Sequence, residues 1–384
     1  MKNFSHLRFP GFKGEWEEYQ IKDIFKITRG KVLSTKLISK TKNKINKYPV
    51  YSSQVFNQGI LGYYHQYLFE KAITWSTDGV AAGEVNYRDH FFYCTNVCGV
   101  LISNKYANKT VAIILNKVAK KYVVNSCIPK LMNNVMAKIK IKIPSHPEQI
   151  KMASFFTLID QKIENITKII NCFIKIKKYF LNNLFVNKNN KVPALRFPGF
   201  KGEWEEKYLS EFLIESNIKN KENKNIPIFS VSNQGFILQQ EYFKGREIAS
   251  KKKNNYKIIT KNTFAYNPAR INIGSIALFN YDIGQVSPMY VVFTTKKIIN
   301  DYLNFYFRST LFKKQIINNL EGSVRKVINF KKIILFKIFV SPQLSEQCKI
   351  ATFLTLIDQK IENIKQQKNC LEQYRSYLLK NMFV

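Results

Sequence analysis

The sequence predicts an α+β protein in which two strand-rich domains are each followed by one long helix. Three observations predict it. The ten residues Thr157–Ile166, TLIDQKIENI, return unchanged as Thr355–Ile364. The twelve residues Leu7–Glu18, LRFPGFKGEWEE, return unchanged as Leu195–Glu206. Between each lead-in and each helical repeat lies a tract of short apolar and aromatic runs broken by Gly, Asn, Asp and Pro, the pattern of strands and turns. A repeat at domain-sized spacing divides the 384 residues into two like halves.

The lead-ins come first in each half, with a Pro-Gly turn and a Trp of buried type (Trp16, Trp204). They read as structural segments that dock on the helices through Phe and Trp. The lead-in recurs 188 residues on and the helical segment 198 residues on, so the second middle is ten residues longer. The middles, Tyr19 to about Ile143 and Lys207 to about Val340, carry strand-like runs such as YPVYSSQVF, AITWS, SIALF and MYVVF. Helices are expected at Lys109–Lys120 and Tyr302–Leu320. The alternating tracts AKIKIKIP and KKIILFKIFVSP read as strands that close each middle.

After Pro147 and Pro342 the apolar residues step by three and four. The first seam runs Met152, Phe156, Ile159, Ile163, Ile166, Ile170, Phe173, Phe180, Leu184. The second runs Ile350, Leu354, Ile357, Ile361, Ile364, Leu371, Leu378, Met382. Lys177 interrupts the first, and Lys368 and Arg375 the second. A sustained 3.5-residue spacing is a coiled-coil seam, and two such seams in one chain can bury each other, in a direction that periodicity does not fix. The expected division is 1–146 for the first domain with its lead-in, 147–186 for the first helix and 187–194 for a polar linker. The second domain then takes 195–342 and the second helix 343–384.

The formal net charge of +35 and pI near 9.8 suit a polyanionic partner, nucleic acid first. Only nine of the 61 basic residues are arginine, and the chain is rich in Lys, Asn and Ile, as an AT-rich genome would produce. The charge therefore predicts phosphate contact and says nothing about base choice. No run of eighteen apolar residues predicts a membrane span, and the N-terminus has no apolar core of a secretion signal, so a cytoplasmic location is expected. Six cysteines without a CxxC pair are expected to be reduced.

The search for chemistry is mostly negative. There is no GxxxxGK[ST] loop and no GxGxxG, so neither ATP nor S-adenosylmethionine has an expected seat on this chain. His90, Cys94 and Cys98 have a loosely metal-like spacing but lie in an aromatic strand-like run, which favours buried thiols over a metal site. The pairs Asp160, Glu164 and Asp358, Glu362 stand four apart beside Lys162 and Lys360, the pattern of a solvated helix flank. No catalytic residues and no metal ligands are expected.

The whole arrangement resembles the specificity subunit of type I restriction-modification systems. The residues that carry the resemblance are the paired RFPGFKGEWEE lead-ins, the helix starts PSHPEQIKMASFFTLIDQKIENI and SPQLSEQCKIATFLTLIDQKIENI, the helix ends YFLNNLFV and YLLKNMFV, and EGSVRKVINFKKI. The first middle has CIPKLMNNVMAKI where the last of these stands in the second. The resemblance implies two target recognition domains separated by two long helices that pair as an intramolecular antiparallel coiled coil, a pseudo-twofold repeat. It implies a non-catalytic subunit of a deoxyribonuclease and adenine methyltransferase complex, reading one half of a bipartite asymmetric site with each domain. The implied partners are double-stranded DNA, two modification (methyltransferase) subunits and two restriction (motor-nuclease) subunits. S-adenosylmethionine and ATP/Mg would be used by those partners and bound by none of this chain's residues. The competing expectation is a non-catalytic coiled-coil scaffold with nonspecific nucleic-acid binding.

Polar or glycine-rich loops of the middles are the segments able to present side chains to a groove, where Asn and Gln can bond adenine twice and Arg can bond guanine. In the first domain the expected contacts are Asn57 and Gln58, the loop Ser76, Thr77, Asp78, and Tyr87 with Arg88. In the second they are Asn233 and Gln234, then Asn267, Arg270 and Asn272, with Lys251, Lys252 and Lys253 on phosphates. Asn-Gln-Gly occurs early in both middles. The seam residues expected to set the spacing are Ile159, Ile163, Ile166, Ile357, Ile361 and Ile364.

Overall fold

The computed structural model describes residues 7–125, 127–186, 190–242, 254–320 and 327–383. It forms two compact units, one of residues up to Thr167 together with those from Gln366 onward, the other Lys168–Lys365. Each long helix, His146–Asn183 and Leu344–Met382, is therefore divided between them. Among the described residues no helix is long and apolar enough to cross a membrane.

In the first unit β1 (Glu17–Gln20) precedes β2 (Lys26–Arg29), β3 (Tyr48–Tyr51), β4 (Ile60–Tyr64), β5 (Phe69–Ser76), β6 (Val85–Cys94), β7 (Cys98–Ile102) and β8 (Lys140–Ile143). Six of these make one sheet in the order β2-β7-β5-β6-β3-β4, and β1 pairs antiparallel with β8. Alternation along β5 turns Ile73 and Trp75 to one face. There they meet Val111 and Leu115 of the helix Lys109–Ala119 and Phe156 and Ile159 of the first long helix. Trp75 lies so close over β7 that a Cβ on Gly99 would stand 2.1 Å from its ring, which requires glycine there. The Trp75 indole N–H donates to the Leu131 carbonyl at 2.9 Å.

The second unit contains β9 (Glu205–Tyr208), β10 (Leu213–Ser216), β11 (Ile228–Ser232), β12 (Gly235–Leu238), β13 (Lys257–Thr260), β14 (Phe264–Tyr266), β15 (Ile276–Leu278), β16 (Ile283–Val286), β17 (Val291–Thr295) and β18 (Lys337–Val340). They pair as β10-β17-β14-β15, β12-β11-β16-β13 and β18-β9. The path is that of the first unit with one difference. The continuous β5–β6 hairpin is broken here into β13, β14 and β15, β16, with Asn262 at φ 69° in the break. Both units keep one parallel pair, β3 with β6 and β11 with β16. Middles with dissimilar sequences thus share a topology.

Two local expectations are corrected. The single helix expected at Tyr302–Leu320 is two, Asn300–Phe307 and Thr310–Asn318, because buried Ser309 caps the second by accepting from the Phe312 amide. The alternating tracts before the long helices are strand only in their second halves. Their first halves end the short helices Asn133–Lys138 and Phe330–Ile333, where local alternation yields to packing of Met136 and Ile333 in the cores.

The lead-ins dock as expected through aromatics, Phe9 on Phe155 at 5.3 Å and Phe197 on Phe353 at 5.4 Å. Arginine adds more. Arg8 grips the buried Glu148 carboxylate with two bonds of 2.7 Å, and Arg196 grips Glu346 at 2.7 and 2.9 Å. Each arginine also donates to a lead-in glycine carbonyl, Gly14 or Gly202, at 2.6 Å. The neighbouring glutamines are spoken for too. Gln149 donates to the Pro144 carbonyl and accepts from Asn108, while Gln347 donates to the Ser341 carbonyl and accepts from the Ile299 amide. The repeated Arg and Glu-Gln are a clamp between lead-in, sheet and first helical turn.

Within each unit the long helices run antiparallel. In the first, Phe156 meets Phe383 at 5.4 Å and Asp160 meets Arg375 at 2.5 Å; in the second, Phe180 meets Phe353 at 4.7 Å and Lys177 meets Asp358. Ile159, Ile357, Ile361 and Ile364 are buried in the seam, with Ile163 and Ile166 half-buried. Asp160 and Asp358 correct the expectation of a solvated flank. Each lies one-third exposed between a cation of the opposing helix, Arg375 or Lys177, and one from the sheet domain, Lys109 or Arg308. The polar interruptions Arg375 and Lys177 are thus the partners of the repeated aspartates.

Burial alone would push the Asp160 carboxyl up, but hydrogen bonds from Arg375 and Lys109 hold it below the usual range. Its stabilisation is therefore present above the unfolded carboxylate value and is lost as pH falls through the folded one. A double-mutant cycle of Asp160→Asn and Arg375→Gln is expected to show coupling of about 0.5–1 kcal/mol, reduced by salt, because the pair is partly exposed. Strictly additive effects would remove the pair as a register device.

Candidate nucleic-acid interface

Asn-Gln-Gly occupies the same place in both units. Asn57–Gly59 turns from β3 into β4, and Asn233–Gly235 turns from β11 into β12. The side chains of Asn57, Gln58, Asn233 and Gln234 are exposed. The other expected loops also coincide: Thr77–Glu84 joins β5 to β6, and Asn267–Ser275 joins β14 to β15. In each unit the turn and the loop lie side by side. Gln58 and Gly59 share a polar hollow with Ser76, Glu84, Asn86 and Arg88, and a Cβ on Gly274 would stand 3.5 Å from that of Asn233.

The turns are built differently. Asn57, Gln58 and Gly59 have φ of 50°, 52° and 84°, a run of left-handed residues, whereas in the second turn only Gly235 is left-handed. There Ser232 Oγ accepts from the Gln234 amide and donates to the Gly235 carbonyl, closing an ordinary tight turn.

Three expected contact residues are buried and committed to the protein's own bonds. Thr77 is fully buried, and its backbone joins Val97 and Leu131. Asn267 accepts from the Ala269 amide, which fixes the bend of its loop. Arg88 lies 3.6 Å from the Tyr51 ring centroid and donates to Thr74 Oγ1 at 3.1 Å and to the Gln58 carbonyl at 3.3 Å. Burial lowers its pKa, and the nearby Tyr51 offsets this in part. Ser76, Asp78, Tyr87 and Asn272 are half-buried, and Arg270 is exposed. Lys251, Lys252 and Lys253 lie outside the described residues.

Tyr87 packs toward the helical core, so alternation gives Asn86, not Tyr87, the same face as Arg88. Asn86 and Glu84, with Gln54 on the facing turn, were not singled out from the sequence. The period-two pattern of β6 would have found Asn86; nothing local marks Gln54 or Glu84. Cys94 and Cys98 sit beneath this face, and burial raises both thiols, Cys98 to about 12, which keeps them protonated.

Comparison with known proteins places these observations in a family. The family description "Type I restriction modification DNA specificity domain" matches twice, over residues 13–186 and 201–373. The specificity subunit of the type I restriction enzyme MpnII from Mycoplasma pneumoniae is 34% identical over 178 residues, 44% of this chain and 53% of that protein. Another type I specificity subunit of that organism is 32% identical over 185 residues, and the chain spans 60% of its length. The specificity subunit of the type I restriction enzyme MjaVIII from Methanocaldococcus jannaschii is 22% identical over 98% of this chain and 94% of its own. In fold, the S subunit of a type I restriction-modification system from M. genitalium superposes with a TM-score of 0.68 over 99% of both chains, at 16% identity. With two matches that together cover most of its length, the chain belongs to the type I restriction-modification DNA specificity family.

Proposed function

We propose that the chain is the DNA-reading subunit of a type I restriction-modification complex, with each domain reading one half of a bipartite asymmetric site. The observation that carries this reading is the recurrence of an exposed Asn-Gln-Gly turn beside a second polar loop at the same place in two sheets of otherwise different sequence. Amide side chains there suit adenine, and Arg270 suits guanine or a phosphate. The net charge of +35 supplies the nonspecific share of the affinity. Half-site spacing follows helix length in this reading. The helices of 38 and 39 residues rise about 57 Å, roughly one and a half turns of DNA.

The chemistry belongs to partners: modification subunits that methylate adenine with S-adenosylmethionine, and motor-nuclease subunits that use ATP and Mg. Long-read methylation mapping of a host with and without this chain is the test. The expected result is one bipartite adenine-methylated motif that disappears with the chain. A methylome unchanged by its loss favours a coiled-coil scaffold with nonspecific nucleic-acid binding.

A further inference from the structure

The turn after β3 carries more structure than a hairpin needs. Gln58 is left-handed without being glycine, a conformation with a steric penalty for a residue that carries a Cβ, and it follows a left-handed Asn57, a residue type that tolerates the conformation better. Held strain of this kind points to a use. The bracing beneath it is equally costly: Arg88, desolvated and stacked on Tyr51, donates to the Gln58 carbonyl. The Ser52 amide donates to the Gly59 carbonyl at 2.9 Å, and the Gly59 amide to the Phe56 carbonyl at 3.0 Å. What this braced turn presents is Phe56, 83% exposed. The corresponding position in the second unit is Ser232, which serves its own turn.

We propose that Phe56 is an aromatic wedge that stacks on a base of the half-site read by the first domain. The inference rests on the DNA-reading function and deepens it. Apolar side chains inserted at a base step unstack it locally, and base–aromatic stacking is tolerant of sequence, so Phe56 would deform the half-site while Asn57 and Gln58 beside it contact edges. A flexible loop would lose this contribution to ordering, whereas a turn locked by a buried cation presents the ring already placed. The charge of the chain and the adjoining amides make DNA the fitting occupant of this tip.

The test uses the full chain with its modification subunit and duplexes of the mapped motif, with 2-aminopurine at each position of the first half-site in turn. The wild type is expected to raise fluorescence at one position. Phe56→Ala should abolish that rise and weaken cognate binding about tenfold, with thermal unfolding unchanged because the ring is exposed; Phe56→Trp should keep both. Cognate binding within twofold of wild type together with an unchanged fluorescence rise in Phe56→Ala overturns the wedge. A wild type that prefers no duplex overturns the DNA reading itself, and the wedge with it.

Discussion

Glu346→Ala is expected to destabilise the second unit by about 3–5 kcal/mol, the cost of breaking a buried ion pair from one side. The carboxylate is fully buried and has four donors: two arms of Arg196, the Trp204 indole N–H at 3.2 Å and the Ser341 hydroxyl at 2.6 Å. Alanine would leave the arginine beside an apolar core with no counter-charge, and would take from the buried Trp204 indole its partner and from the Ser341 hydroxyl the shorter of its two bonds. The effect should be local first. The amides of Leu195, bonded to Asn183, and Trp204, bonded to Lys191, should lose hydrogen-exchange protection before the sheet does. Glu148→Ala is the milder counterpart, because among the described residues the Trp16 indole N–H has no hydrogen-bond partner to lose. Loss below about 1 kcal/mol for Glu346→Ala, with lead-in amides still protected, would remove the clamp from the account of stability.

Exchanging the middle of the second unit, residues 207–340, for that of another family member is expected to replace one half of the methylated motif and leave the other half and the spacing as they were. The reason is structural. The clamps, seam isoleucines and aspartate brackets all involve repeated residues, while the turns and loops proposed to meet DNA lie in the parts that differ. Two junction contacts need care: Ile299 donates its amide to Gln347, and Arg308 reaches Asp358, so a donor middle must supply both. Methylation mapping reads the outcome. Alteration of both half-sites would contradict independent readers.

The helices were the most legible part of the chain, because a seven-residue repeat sustained over most of a helix of 38 or 39 residues has few other uses. Their relative direction was legible only through the family resemblance, which implies an antiparallel pair, since a periodic seam alone fits either; Asp160 with Arg375 and Lys177 with Asp358 bear that direction out. The same pairs explain why Lys177 and Arg375 looked like flaws: a charge in a seam is legible only with its partner. At the candidate interface the turns were legible through Asn-Gln-Gly. Arg88 and Asn267 are of the residue types that read bases, and only tertiary burial shows them bracing loops. The break of one hairpin into β13–β16 falls where Asn262 is left-handed, a backbone feature that no periodicity records.

The division of each long helix between two units has a consequence for biosynthesis. The first sheet domain is translated early, but the surface of Met152, Phe156 and Ile159 is covered by Leu378, Met382 and Phe383. Those residues are synthesised only after the whole of the second unit. A nascent chain must therefore hold an uncovered apolar stripe through synthesis of the entire second unit, and its closing contacts span more than two hundred residues, the kind that form slowly. A stop codon placed after Lys365, which removes Leu378, Met382 and Phe383, would harm the first domain rather than the second.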